Sequence, residues 1–404
     1  MKNILKLSIV CLVMLAVNVS CSKPEPDSEM IKMQVPVLQD DGEYKLTVVE
    51  VPRPKSMETL ESDFVNFKYY VSSNDIKYSA YDGKFLIDGE SPNFEFVKKG
   101  DVYIPAGQIE SLEAATMYYL MYTLKEKMDD LNWTFENYWP RRIVLHSVPS
   151  KNNAFYSSAG DFFGMVVYED QYIPATMNAD VWYHEAFHSI YYHAYANKLF
   201  KEKNGYNPLT KMFFSEGNKA MARMGAVRTY NEGFSDLFAF LMTGSSEIMN
   251  HFARGHSSYR NFSEKPKSYA PFSDTNYVKD DHFYVMGSYF AKSFLAIQME
   301  KLGLEYSEHG RLSKEVRDSI LQEALRFITN EVFTDIYMAD NSTVEASISV
   351  LNKYRMKVLG KETEEVYFYS VDPEAMKNAK PDEILEEFTD PKKPSEDLGV
   401  KNEE

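Results

Sequence analysis

His184-Glu185-Ala186-Phe187-His188 spells H-E-x-x-H. On a helix, residues four apart share a face, so both imidazoles can reach a single Zn²⁺. Glu185 then falls beside the metal, where its carboxylate can take a proton from a water that the ion activates. With 8 His in the chain, chance writes this pattern in roughly one sequence in a hundred of this length. The flanks favour chemistry over a buried structural histidine pair. Val181, Trp182, Phe187, Ile190 and Tyr191 supply an apolar helix surface, and Asp180 stands where an N-cap would. Zinc needs a third protein ligand. The extended H-E-x-x-H-x-x-G-x-x-H form is excluded, because Tyr191 takes the place of the glycine and Ala194 that of the last histidine. His193, five residues after His188, falls on a different helical face and reads as a surface or packing residue.

Further along stands Asn231-Glu232-Gly233-Phe234-Ser235-Asp236. This resembles the N-E-x-x-S-D motif of thermolysin-like metallopeptidases, the gluzincins. The resemblance implies that Glu232 is the third zinc ligand and that Asp236, one turn later, hydrogen-bonds His184. It extends in order along the chain. Glu113-Ala114-Ala115-Thr116-Met117-Tyr118-Tyr119 is similar to the family's first catalytic-domain helix, and Asp180-Val181-Trp182-Tyr183-His184-Glu185 matches D-V-x-x-H-E. Asn153-Ala154-Phe155-Tyr156 is similar to N-A-F-W, which implies an edge strand whose asparagine and backbone, here Asn153 and Ala154, hold a substrate peptide. Gly225-Ala226 precedes Asn231 as a G-A pair precedes N-E in the family. The likeness covers roughly residues 110–296. Two features depart from it. His188 and Glu232 are 44 positions apart, about twice the family's usual spacing, with an extra segment near 196–219. No Asp-rich calcium loop stands in the sequence, which puts the family's structural calcium ions in doubt.

Peptide hydrolysis also needs a donor for the oxyanion that the metal alone stabilises incompletely. Thermolysin uses a histidine a few residues before a glycine, and the related aminopeptidase N family uses the tyrosine of Y-x-x-G. Tyr284-Val285-Met286-Gly287 fits the second spacing, and His282 is one residue off the first. Tyr284 is preferred and His282 is the alternative. Phe283, Phe290 and Phe294 read as an aromatic core stripe on the same helix.

These residues need a scaffold. The expected fold is α+β: a zincin-type catalytic domain with a small mixed sheet and a zinc helix, a mainly helical second lobe, and a β-rich N-terminal region. Strand-like runs and Asp-Gly turns fill 34–108, whose role the sequence does not reveal. The catalytic core is placed at 109–300, opening on a long helix near 110–132, with strands at 142–146 and 164–168. A helical C-terminal lobe occupies 301–370. The stretch 371–404, rich in acids, lysines and prolines, reads as a solvated disordered tail.

The front end reads as an export signal at 1–20: Lys2 and Lys6, then an apolar run over 7–17 too short to span a bilayer. Val19-Ser20-Cys21 resembles the lipobox of bacterial lipoproteins, which implies a lipid on Cys21 and a polar tether over 21–33. Both cysteines, Cys11 and Cys21, lie there, so no disulfide or Cys-rich metal site exists in the body. A net charge of −16 argues against nucleic acid as a partner. The expectation is a cell-envelope lipoprotein, outer-membrane or surface, that hydrolyses peptide bonds with one Zn²⁺ and meets peptide or protein substrates. The rival is a non-hydrolytic zinc-binding surface lipoprotein serving as adhesin or assembly factor. Loss of Glu185 or of the donor would mark that rival, and neither is lost.

Overall fold

The computed structural model describes residues 29–69, 76–79, 84–87, 89–145, 154–158, 161–165, 173–196, 218–248, 260–263, 282–338 and 344–360. Cys21, Asn153 and the stretch 371–404 lie outside them. The described chain enters strand β1 (Met30–Leu38) at once, so its last residues before 34 are sheet rather than tether. Alternation writes this strand: Ile31, Met33 and Val35 are buried while Lys32, Gln34 and Pro36 between them are partly exposed. A turn through Gly42, at φ +81°, returns it antiparallel as β2 (Tyr44–Pro52). Strand β3 (Val65–Tyr69) belongs to a second sheet, and β4 (Ile76–Ser79) with β5 (Lys84–Ile87) makes a separate ribbon. Strands β6 (Glu95–Lys99) and β7 (Val102–Ala106) complete the first sheet in the order β2-β1-β7-β6, with β7 parallel to β1.

Helix α1 (Ile109–Asp130) runs 22 residues with no glycine or proline to stop it. It packs on β1, β2 and β7 and also reaches β3, so it lies between the two sheets. Tyr118 on this helix donates from its hydroxyl to the Pro52 carbonyl at 2.9 Å and packs against Phe64 with the rings tilted at 52°. The second sheet adds β8 (Arg141–Leu145), β9 (Ala154–Ser157) and β10 (Phe162–Met165) in the order β3-β8-β10-β9. Strands β3, β8 and β10 are parallel, and β9 is the antiparallel edge.

Helices follow: α2 (Ala179–Tyr191), α3 (Asn218–Thr243), α4 (His282–Lys301), α5 (Lys314–Arg326) and α6 (Val344–Leu359). Phe290 and Phe294 are fully buried, as their spacing on α4 requires. Helices α3 and α4 cross at two glycines. A methyl group on Gly233 would lie 1.9 Å from the Gly287 carbonyl oxygen, and one on Gly287 would lie 2.4 Å from the Thr229 oxygen. Only glycine allows that approach. A hydrophobic core runs from Ile31 in β1 to Tyr354 in α6 and joins both four-stranded sheets to the helices, with Val144 and Phe162 in a small separate cluster. The fold is mixed α+β with small mixed sheets, and no described helix is long and apolar enough to cross a membrane.

Candidate metal centre

Helix α2 carries the H-E-x-x-H residues and is buried on nearly every side. Its N-terminus is held from two directions. The Asn178 side chain accepts from the N–H groups of Asp180 and Val181 at 3.1 and 3.2 Å. The Tyr44 hydroxyl on β2 accepts from the Ala179 N–H at 2.8 Å. Asn178, not Asp180, is therefore the N-cap, which corrects the sequence expectation. Both residues are capping types, but Asp180 points inward. Its carboxyl is fully buried, and desolvation, with the Asp236 charge adding, pushes it up to about 7 against the opposing Thr243 hydrogen bond.

The His184 and His188 rings stand 4.6 Å apart and nearly perpendicular, the result of their four-residue spacing. Helix α3 packs along α2 and brings Glu232 over them. Glu232 Oε2 lies 3.3 Å from His184 Nε2 and 3.6 Å from His188 Nε2. Four ligands at about 2.0–2.1 Å around a tetrahedral ion stand about 3.3–3.4 Å from one another, so these separations match the edges of such a site. Glu232 Oε2 is buried and makes no hydrogen bond, a condition a cation relieves. Glu185 Oε2 is 4.0 Å from His188 Nε2. His184, Glu185 and His188 form a group whose ligand atoms all fall within 4.8 Å, and this group could hold a metal ion.

The outer nitrogens also have partners. His184 Nδ1 is 2.8 Å from Asp236 Oδ1, and His188 Nδ1 is 3.0 Å from Ser235 Oγ. An imidazole that offers Nε2 to a metal keeps its proton on Nδ1, and Asp236 and Ser235 are placed to accept those protons. Ser235 was not singled out in the sequence, although it is the serine of N-E-x-x-S-D. Arg260 was missed altogether. It is buried, its Nε lies 3.3 Å from Asp236 Oδ2, and Nη2 lies 3.8 Å from Glu232 Oε2. Its guanidinium sits 4.8 Å over the Tyr284 ring. A lone arginine between helices has no spacing that could announce this.

Electrostatics follow from the geometry. Burial alone would raise the Glu232 carboxyl, but His188, His184 and Arg260 hold it down to about 2. Burial would lower the His184 imidazole, yet Asp236 and Glu232 push it up to about 9. Glu185 is raised by burial, against the opposing pull of His188 and His184. The edge strand β9 meets this carboxylate: the Tyr156 N–H donates to Glu185 Oε2 at 2.9 Å.

Of the other residues expected here, Ala154 is buried at the start of β9. Asn153 lies outside the described residues. Tyr284 is half-buried near the start of α4 and reaches the centre through Arg260. His282 opens α4, and its side chain lies outside the described residues. The glycine of Tyr284-Val285-Met286-Gly287 has its own duty at the α3–α4 crossing. His193 is a partly buried packing residue, within 3.1 Å of both Asp161 Oδ1 and Arg141 Nη1. No protein-family model matches the chain, and no curated protein matches it.

Proposed function

We propose that this chain is a zinc-dependent peptidase of the gluzincin type, with a zincin-like catalytic domain, carried at the cell envelope by a lipid on Cys21. The observation that carries the reading is the approach of His184 Nε2 and His188 Nε2 to an unsatisfied Glu232 oxygen, with Glu185 beside them. A zinc ion would be held by His184, His188 and Glu232, and when bound it supplies a Lewis acid for the scissile carbonyl and for the attacking water.

The chain's own groups do the rest. Glu185 takes a proton from the water and returns it to the leaving amine, and its raised pKa suits both halves of that task. The Tyr156 N–H fixes one Glu185 oxygen, leaving the other to move protons. Tyr284 or His282 donates to the developing oxyanion. Arg260 places a positive charge 3.8 Å from Glu232 and 3.3 Å from Asp236, beside the carboxylate that would ligate and the one that would orient His184. Strand β9 is an edge among the described residues, where an extended peptide would pair with the backbone from Ala154 on.

The test is cleavage of a mixed peptide library by the full exported chain, alongside metal analysis. Wild type should contain about one zinc per chain and cleave. Glu185→Gln should keep the zinc and lose cleavage by about 10²–10⁴-fold. Zinc without cleavage in wild type would leave the non-hydrolytic surface lipoprotein as the better account.

A further inference from the structure

Away from the candidate metal centre, a second set of charges gathers, partly buried, around Asp161. Arg141, at the first position of β8 and 1% exposed, forms an ion pair with Asp161 and donates to the Tyr138 carbonyl at 2.9 Å. His193, just past α2, lies 3.1 Å from the same Asp161 oxygen. Asp161 precedes β10 and holds a left-handed backbone at φ +51°, a cost that few side chains other than Asn and Asp tolerate. Burying such a set is expensive unless it specifies something. What it holds is Tyr156, whose hydroxyl donates to Asp161 Oδ1 at 2.7 Å.

Tyr156 thus has two ends. Its hydroxyl is tied to these charges and its backbone N–H to Glu185. Strand β9 has four residues and one sheet neighbour, β10, so pairing alone fixes it weakly. The Tyr156 ring also packs on Phe163 at 5.3 Å. We infer that Asp161, backed by Arg141 and His193, is a positioning residue for the general base: through Tyr156 it fixes the β9 N–H that orients the Glu185 carboxylate. This rests on the peptidase reading for its catalytic consequence, but its structural part stands alone.

Two mild variants test it. Tyr156→Phe removes only the hydroxyl, and Asp161→Asn removes the charge while tolerating the left-handed backbone. Amide exchange across 154–157, zinc content, kcat and KM are measured on the full exported chain. Exchange at the Tyr156 amide should quicken in both variants and in Glu185→Ala, with zinc content unchanged in Tyr156→Phe and Asp161→Asn. In those two variants kcat should fall by about 10-fold or more, with KM changed far less. Wild-type exchange and kcat in Tyr156→Phe would overturn the inference and leave the peptidase reading intact. If wild type binds zinc and cleaves nothing, the peptidase reading fails. The exchange data then still decide: faster exchange in Tyr156→Phe supports the tie, and equal exchange overturns it.

Discussion

Each histidine of the centre is held by two atoms from α3, one facing Nε2 and one facing Nδ1. Glu232 faces both Nε2 atoms, Asp236 faces one Nδ1 and Ser235 the other. Loss of an outer partner frees a ring to rotate without removing a ligand. Asp236→Ala and Ser235→Ala should therefore weaken zinc binding by about 10–100-fold, read by competition against a chelator. His184→Ala, His188→Ala and Glu232→Ala should lose most of the zinc. Wild-type affinity in Ser235→Ala would mean that packing, not the hydroxyl, orients His188. The grouping of His184, Glu185 and His188 was legible because helical period alone sets their spacing. Arg260 and Asp161 were not, since nothing local marks them and only packing brings them to the site. Tyr156 was marked only as the last residue of the Asn153-Ala154-Phe155-Tyr156 segment, not for its tie to Glu185. Asn178 and Asp180 are both capping types two residues apart, and burial of the second is what decides between them.

At the scale of elements, the site depends on two contacts: the crossing of α4 over α3, which carries Glu232, and the hold of β2 on the N-terminus of α2. The crossing admits no side chain at Gly287 or Gly233. Gly287→Ala should cost about 1–3 kcal/mol or more by chemical denaturation. Because Gly233 adjoins Glu232, zinc affinity should fall with it. An unchanged denaturation midpoint would mean that the helices can separate freely. Elements written by a strong local pattern were legible: the helix read over 110–132 is Ile109–Asp130, and the strand read over 142–146 is Arg141–Leu145. The strand read at 164–168 begins earlier, at Phe162, because short apolar runs do not fix their own ends, and residues 166–168 lie outside the described residues. The hold of Tyr44 on Ala179 joins residues 135 apart, a contact no local pattern encodes.

Across the whole molecule, one core ties the N-terminal sheet to the helices, so the region whose role the sequence did not reveal supports helix α2. Stability should also depend on acid through Asp161. Burial works to raise its carboxyl, but His193 and Arg141 outweigh this and hold it well below the usual carboxylate range. A folded pKa below the unfolded value of about 3.9 adds stability above that pH, and the gain is lost as pH falls toward the folded value. Asp161→Asn should therefore be less stable than wild type near neutrality, and the gap should begin to narrow below about pH 4 in thermal unfolding taken from about pH 7 to about pH 3. A constant gap would assign the loss to packing. For the envelope anchor, Cys21→Ala should move the protein from the membrane fraction to the soluble exported fraction. Unchanged fractionation with no labelling by a fatty-acid probe would remove the lipid from the account. The central claim is the ion itself, and diffraction from zinc-loaded crystals at the zinc absorption edge tests it most directly. The account predicts one anomalous peak at about 2.0–2.2 Å from His184 Nε2, His188 Nε2 and a Glu232 oxygen. No peak there, or a peak that leaves Glu232 out, would contradict it.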